Sequence, residues 1–406
     1  MNPLKKYLDR IRPDFEEGGK LHAFRSVFDG FDTFLFTPNS TAKAAGGVHI
    51  HDSIDSKRTM IIVVLALMPC FFFGMYNTGY QHWLACGLTE FPFWSLMLYG
   101  FLAILPKVVV SYVVGLGIEF IVAQWRKEEI QEGFLVTGIL VPMIIPVETP
   151  LWMLAVAVAF AVIFAKEVFG GTGYNVFNIA LVTRAFLFFA YPAKMSGDSV
   201  FVATGKILGF GPAAPDGFTC ATPLGQVATA TGGDFTLTGI NGAPLSAWDA
   251  FVGLIPGSFG ETSVICILIG AAILLLTGIG EWKVMISVFV GGIVMGAIAH
   301  AFATPTYPAS YMSVADQLCF GGFAFAAVFM ATDPVTGART NIGKYIYGFL
   351  IGVVAILIRT YNTGYPEGAM LAVLLMNAFA PLIDWCVVQS NIRRREKRLT
   401  DKLADR

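Results

Sequence analysis

Four carboxylates lie inside, or at the edge of, long apolar runs: Glu119, Glu261, Asp333 and Asp384. A carboxylate in hydrocarbon has to be satisfied within the protein, and such residues mark ion or substrate paths. Hard cations such as sodium take carboxylate, carbonyl and hydroxyl oxygens, so these four are candidate elements of an ion path. The competing reading is that each sits in a headgroup layer or caps a helix. Asp333, followed by Pro334, has the form of a helix-ending turn.

Two glycine-rich turns offer a different chemistry: KEVFGGTGYNVFN (166–178) and ATDPVTGARTNIG (331–343). Glycine lets a backbone approach a flat ligand closely. Asn175, Asn178 and Asp333 would present amide and carboxylate groups to a polar ring edge. No strand precedes Gly-Gly-x-Gly and no GxGxxG follows, so this is not a dinucleotide fingerprint and NADH binding by this chain is not expected. A third string, DGFTCATPLGQ (216–226), presents the hydroxyls of Thr219 and Thr222 and, on its own, reads as a surface loop. His49 and His51 lack a third ligand for a metal. Six scattered cysteines without CxxC spacing do not hold a cluster. No metal centre is expected.

The elements that must position these groups are membrane helices. Hydrophobic residues make up 55% of the 406, charged residues only 14%, and mean hydropathy is +0.67. A soluble domain carries about 25% charged residues. Apolar runs recur near 59–76, 95–124, 133–146, 151–167, 175–191, 259–280, 284–303, 313–332, 345–360 and 368–390. Most reach the length needed to cross a bilayer, so the fold class is an all-α integral membrane protein of about ten transmembrane helices. No basic patch with interleaved aromatics suggests nucleic acid, and the charged start shows no apolar signal core.

Positive charge marks the cytoplasmic side. The rule places both termini, Arg126/Lys127, Lys166, Lys283 and Arg339/Lys344 inside. It places 77–94, 192–250 and 304–312 outside. The expected organisation is a cytoplasmic segment (1–58), five spans (59–191), an extracytoplasmic loop (192–258), five more spans (259–390) and a basic cytoplasmic tail (391–406). The 133–146 run is short enough for a half-helix. EGFLVTGILVPMIIP (132–146) and EGAMLAVLLMNAFAP (367–381) echo one another with opposite predicted directions. Either this marks two inverted five-helix repeats with half-helices, or it reflects the abundance of Gly, Pro and Leu.

At DGFTCATPLGQ the chain resembles the family shared by the B subunit of sodium-pumping NADH:quinone reductases and the D subunit of the related Rnf electron-transport complex. The blocks FEEGGKLHAF, FTPNSTAK, HDSIDSKRTM, KEVFGGTGYN, RAFLFFAYPA, FMATDPV and YPEGAMLAVLLMNAFAPLID extend the likeness from end to end. The N-terminal extension (13–58) and FLFFAYPA favour the quinone-reductase subunit. The resemblance implies a channel-like, urea-transporter-like bundle in a bacterial inner membrane. It implies FMN esterified to Thr222, with Asp216 and Thr219 in the attachment motif. Cys220 stands where the family usually has glycine, and is still small. Asn175, Asn178 and Asp333 match positions near a noncovalent riboflavin. Gly115 and Glu119, in VVGLGIEF, match a span associated with quinone, although the family usually shows paired glycines there. Asp384 matches an acidic position linked to sodium movement. The implied partners are quinone, Na+, lipid, a flavin-bearing C subunit, a NADH-oxidising F subunit and a flavin transferase. Two other readings stand beside this one: the Rnf D subunit, and a channel or secondary transporter without a cofactor.

Overall fold

The computed structural model describes residues 56–127, 133–195, 200–215, 218–233, 235–362 and 364–404, with parts of 3–36. His49, His51, Glu132 and Asp216 lie outside the described residues. The described residues contain no strand, only two isolated β-bridges.

The helices, in chain order, are α1 (Pro3–Phe15), α2 (Ser56–Ala85), α3 (Phe93–Arg126), α4 (Phe134–Ile144) and α5 (Leu151–Phe160). A π-helical stretch, Ala161–Lys166, and a short 3-10 turn, Glu167–Phe169, extend α5. Then follow α6 (Ile179–Ala190), α7 (Pro223–Thr229), α8 (Ala247–Val252), α9 (Val264–Leu276) and α10 (Trp282–Ala301). The chain ends with α11 (Val314–Cys319), a second broken piece over 323–330, α12 (Asn341–Tyr361) and α13 (Ala369–Ala404).

All ten apolar runs are helical, but they are not ten full-length helices. Six helices among the described residues are long and apolar enough to cross a membrane. The remaining runs make α4, α6 and α9, of 11, 12 and 13 residues, and the broken segment 314–330. Eleven residues rise about 16 Å, half a hydrocarbon core. The chain is an integral membrane protein built from full and partial helices.

Helix ends at membrane depth need partners for their free carbonyls. At the end of α4, Gly260 N donates to Met143 O at 2.8 Å, and the buried Lys107 ammonium donates to Val147 O. The break in 314–330 falls at Gly321 and Gly322, with φ of 62° and 67°. Fully buried Arg359 reaches across from α12 and donates to Gln317 O and Gly321 O. A charged side chain in the bundle thus replaces the helical bonds the break removes.

Small residues bring the long helices together, as in membrane packing generally. A Cβ at Gly291 on α10 would lie 2.1 Å from Phe349 O of α12, and one at Gly352 would lie 2.1 Å from Val288 O. The connections gather at two ends. At one, 200–258 meets the ends of α2 and α3: the ring nitrogens of His82 face Ala203 O and Pro212 O, Tyr99 donates to Gly205 O, and Asn77 donates to Ile255 O. At the other, the turns after α3, α5 and α9 meet 331–344. There Arg126 donates to Glu167 O and Lys344 pairs with Glu281.

Candidate functional site

The turn 166–178 is shaped by glycine. Gly170, Gly171 and Gly173 have φ of 120°, 94° and 91°, a region that side chains rarely adopt. These reversals deliver Asn178 to the start of α6, where its Oδ1 caps the helix by accepting from Leu181 N at 3.2 Å. The amide nitrogen of Asn178 donates to Asp333 Oδ2 at 3.1 Å, joining two turns 155 residues apart. Asp333 Oδ1 accepts from Val335 N at 2.9 Å, so it ends its helical segment as its Pro334 neighbour suggests. Asn175 donates to Phe177 O at 3.1 Å.

Between these turns lies a cavity of about 910 Å³, its open mouth included. Met60, Val63, Leu140 and Phe329 form apolar walls, while Lys166, Asn175, Asn178 and Asp333 supply the polar groups. An apolar slot with a few convergent polar side chains is what a planar heterocycle requires. The three residues assigned to a riboflavin from sequence are therefore brought together. Asp333 also walls a neighbouring cavity lined by Glu281, Arg339 and Lys344.

Lys166, which the charge rule counts among the inside charges, is not a solvated loop charge: its side chain is 2% exposed and its ammonium pairs with Glu119 on α3. Glu119 Oε2 has no partner among the described residues. One turn before Glu119, Gly115 lies beneath the ring of Phe134 from α4; a Cβ there would sit 1.9 Å from Phe134 Cζ. Gly115 thus seats the half-helix against the span that carries Glu119. Gly115→Ala should cost about 1–3 kcal/mol by overpacking, read as a lower melting temperature in detergent. Phe134→Leu in the same chain should restore most of it, and independent, additive losses would contradict this contact.

Asp384 is separate from the cavity groups. Its oxygens accept from Arg339 N at 2.7 Å, Thr340 N at 3.0 Å and Thr340 Oγ1 at 2.5 Å. They hold the turn that starts α12.

At the opposite end, Thr222 is half-buried and caps α7, its Oγ1 accepting from Gly225 N at 3.2 Å. Thr219 is exposed. Thr222 lines a small cavity together with Glu261 and Glu367. Behind it Arg184 of α6 joins both carboxylates, at 2.8 Å to Glu261 Oε1 and in closer contact with Glu367 Oε2. Sequence reasoning passed over Arg184, Glu367 and Lys107. The available signal was a charge inside, or beside, an apolar run.

The sequence profile of the NQR2, RnfD, RnfE family matches residues 43–393. The chain is 41% identical to the B subunit of the Na(+)-translocating NADH-quinone reductase of Klebsiella pneumoniae (strain 342), over 97% of this chain and 99% of that protein. It is 42% identical to the B subunits of the same reductase from Chromohalobacter salexigens and Azotobacter vinelandii, over 97% of this chain and 96% and 98% of theirs. With matches that run from end to end, the chain belongs to the NQR2, RnfD, RnfE family.

Proposed function

We propose that the chain is the membrane-embedded B subunit of a sodium-translocating NADH:quinone reductase. It carries FMN esterified to Thr222 and a noncovalent riboflavin in the cavity between 166–178 and 331–335, and it passes electrons to quinone in step with Na+ export. The observation that carries this reading is identity of 41–42% over 97% of the chain to relatives bearing that name. Both sites fit their groups. The cavity pairs apolar walls with Asn175, Asn178 and Asp333, and Thr222 presents its hydroxyl oxygen at the head of a short helix.

The flavins supply the electron-transfer chemistry; the protein binds, orients and tunes them. Asn178 holds Asp333 in place, and the apolar walls exclude water from the ring faces. The proposed ion path runs past Glu119, Asp333 and Asp384, whose oxygens suit Na+. The proposed topology has ten membrane segments in two inverted halves, both termini in the cytoplasm of a bacterium and Thr222 outside the inner membrane. The proposed quinone contact lies along α3 near Gly115 and Glu119. The working assembly includes a flavin-bearing C subunit and a NADH-oxidising F subunit, and a flavin transferase matures the chain.

Acid precipitation of the chain, purified after expression with that transferase, tests the reading. One flavin is expected in the supernatant and one on the pellet. A chain devoid of both flavins would favour a cofactor-free transporter. In the assembled complex, Glu119→Gln is expected to lower sodium-stimulated quinone reduction about tenfold, a barrier change of about 1.4 kcal/mol. Unchanged sodium activation would remove Glu119 from the ion path.

A further inference from the structure

We propose that Lys166 sets the redox potential of the flavin in the inner cavity, with Glu119 as the residue that positions it. The inference rests on the reading that this cavity holds a noncovalent flavin.

The π-helical stretch Ala161–Lys166 ends α5 and passes directly into the 3-10 turn at Glu167. A π-bulge adds a residue to the turn and re-aims the side chains that follow, and such bulges concentrate at functional sites. Lys166 is fully buried, while Phe164 two residues earlier is exposed. Its side chain lies in the wall of the cavity that also exposes Asn175, Asn178 and Asp333. An ammonium has three donors. Glu119 Oε1 takes one, and Lys166 makes no other side-chain hydrogen bond among the described residues, which leaves donors for a ligand in the cavity it lines.

A buried ion pair is a poor way to stabilise a fold. Replacing it by apolar groups of similar volume is often neutral or favourable. The Lys166–Glu119 pair also leaves Glu119 Oε2 without a partner among the described residues. Packing alone does not explain a pair of this kind. Its place beside a cavity for a redox-active ring does, because reduction adds electron density to the pyrimidine edge of an isoalloxazine. A fixed cation aimed at that edge, in a site of low dielectric, favours the reduced form. Asp333 lines the same cavity, its carboxyl group tied to Asn178 and Val335 N. Glu119 keeps the ammonium from swinging away, and acts on the ring only through Lys166.

The test uses the full-length chain carrying Thr222→Ala, so that added riboflavin is the flavin that reports. Quenching of riboflavin fluorescence measures binding, and a spectroelectrochemical titration measures the midpoint potential of the bound ring. Lys166→Met should reduce the affinity for reduced relative to oxidised riboflavin about tenfold, a fall of about 30 mV for a two-electron couple. Lys166→Arg should restore the potential, because the charge returns. Should the single replacement unfold the chain, Lys166→Met/Glu119→Met removes both charges and leaves no orphaned carboxylate; its potential should fall as well. An unaltered midpoint in a Lys166→Met or double variant that still binds riboflavin would overturn the role of Lys166. Failure of the parent chain to quench riboflavin would instead overturn the flavin reading of the cavity.

Discussion

Thr222→Ala is expected to abolish the protein-bound flavin completely while leaving the extractable flavin in place. On a denaturing gel viewed under ultraviolet light before staining, the parent chain should fluoresce and the variant should be dark. The physical case is local. Thr222 offers the hydroxyl at the head of α7, and alanine there removes the only atom through which a phosphoester could form. The loss of the cap costs about 1 kcal/mol of helix stability, too little to unfold a chain anchored by its membrane helices. Thr222→Ser keeps both the cap and a hydroxyl, so it separates chemistry from packing. A bright band in the alanine variant would move the attachment to another residue, with exposed Thr219 the first to examine. A dark parent band beside an active transferase would mean that Cys220 defeats the motif.

Arg184→Met should produce the largest loss of stability in the chain. Arg184 is 6% exposed and binds Glu261, which precedes α9, and Glu367, which precedes α13. One guanidinium therefore ties α6 to the entrances of two other helices. Its planar fork reaches two carboxylates from separate nitrogens in fixed directions, whereas a lysine offers a single nitrogen. Removing it leaves the buried Glu261 carboxylate and the partly buried Glu367 without this partner, at a cost of about 3–5 kcal/mol. Thermal unfolding in detergent followed with a thiol-reactive dye suits the measurement once exposed Cys386 and the partly buried Cys86, Cys220, Cys266 and Cys319 are replaced by serine, because buried Cys70 then becomes reactive only on unfolding. Arg184→Lys should fall between parent and Met variant. Adding Glu261→Gln and Glu367→Gln to Arg184→Met should recover much of the loss. A melting temperature unmoved by Arg184→Met would show that the cluster does not hold these helices together.

The long helices were legible because hydropathy reports a run of apolar residues directly, and α3, α10 and α12 follow their runs closely; α2 instead continues to Ala85, into the segment expected as an outer loop, and α13 continues to Ala404 through the basic tail. The short ones were not fully legible. Run 313–332 reads as a continuous span, yet Gly321 and Gly322 break it, and the break is tolerated because Arg359 supplies donors from another helix. That compensation comes from 38 residues away and leaves no local mark. The shortness of α4 was visible in its length; the bond from Lys107 to the turn that follows it was not. The cavity residues Asn175, Asn178 and Asp333 were legible through their turns and through family resemblance. Lys166 was not, because a charge at the end of an apolar run looks like a loop charge until its partner is known. Glu119 lies 47 residues earlier, on another helix. Asp384 illustrates the reverse case: an acidic residue inside an apolar run whose oxygens bind backbone and a threonine hydroxyl.

On the proposed attachment, the mounting of Thr222 governs how electrons can be handed over. The helix it heads is short, but Leu224 and Val227 are wedged into a cluster with Ile255, Met312 and Phe320. Pro223 is buried as well. The anchor is a bracket bolted to the bundle, and the surrounding loop does not carry it about. A cofactor esterified there sweeps only the arc that its own ribityl chain allows. Any donor must come within that arc, so the distance across which an electron jumps is written into the docking of the partner. Thickening the solvent should then slow turnover through partner docking, while the hop itself keeps its rate.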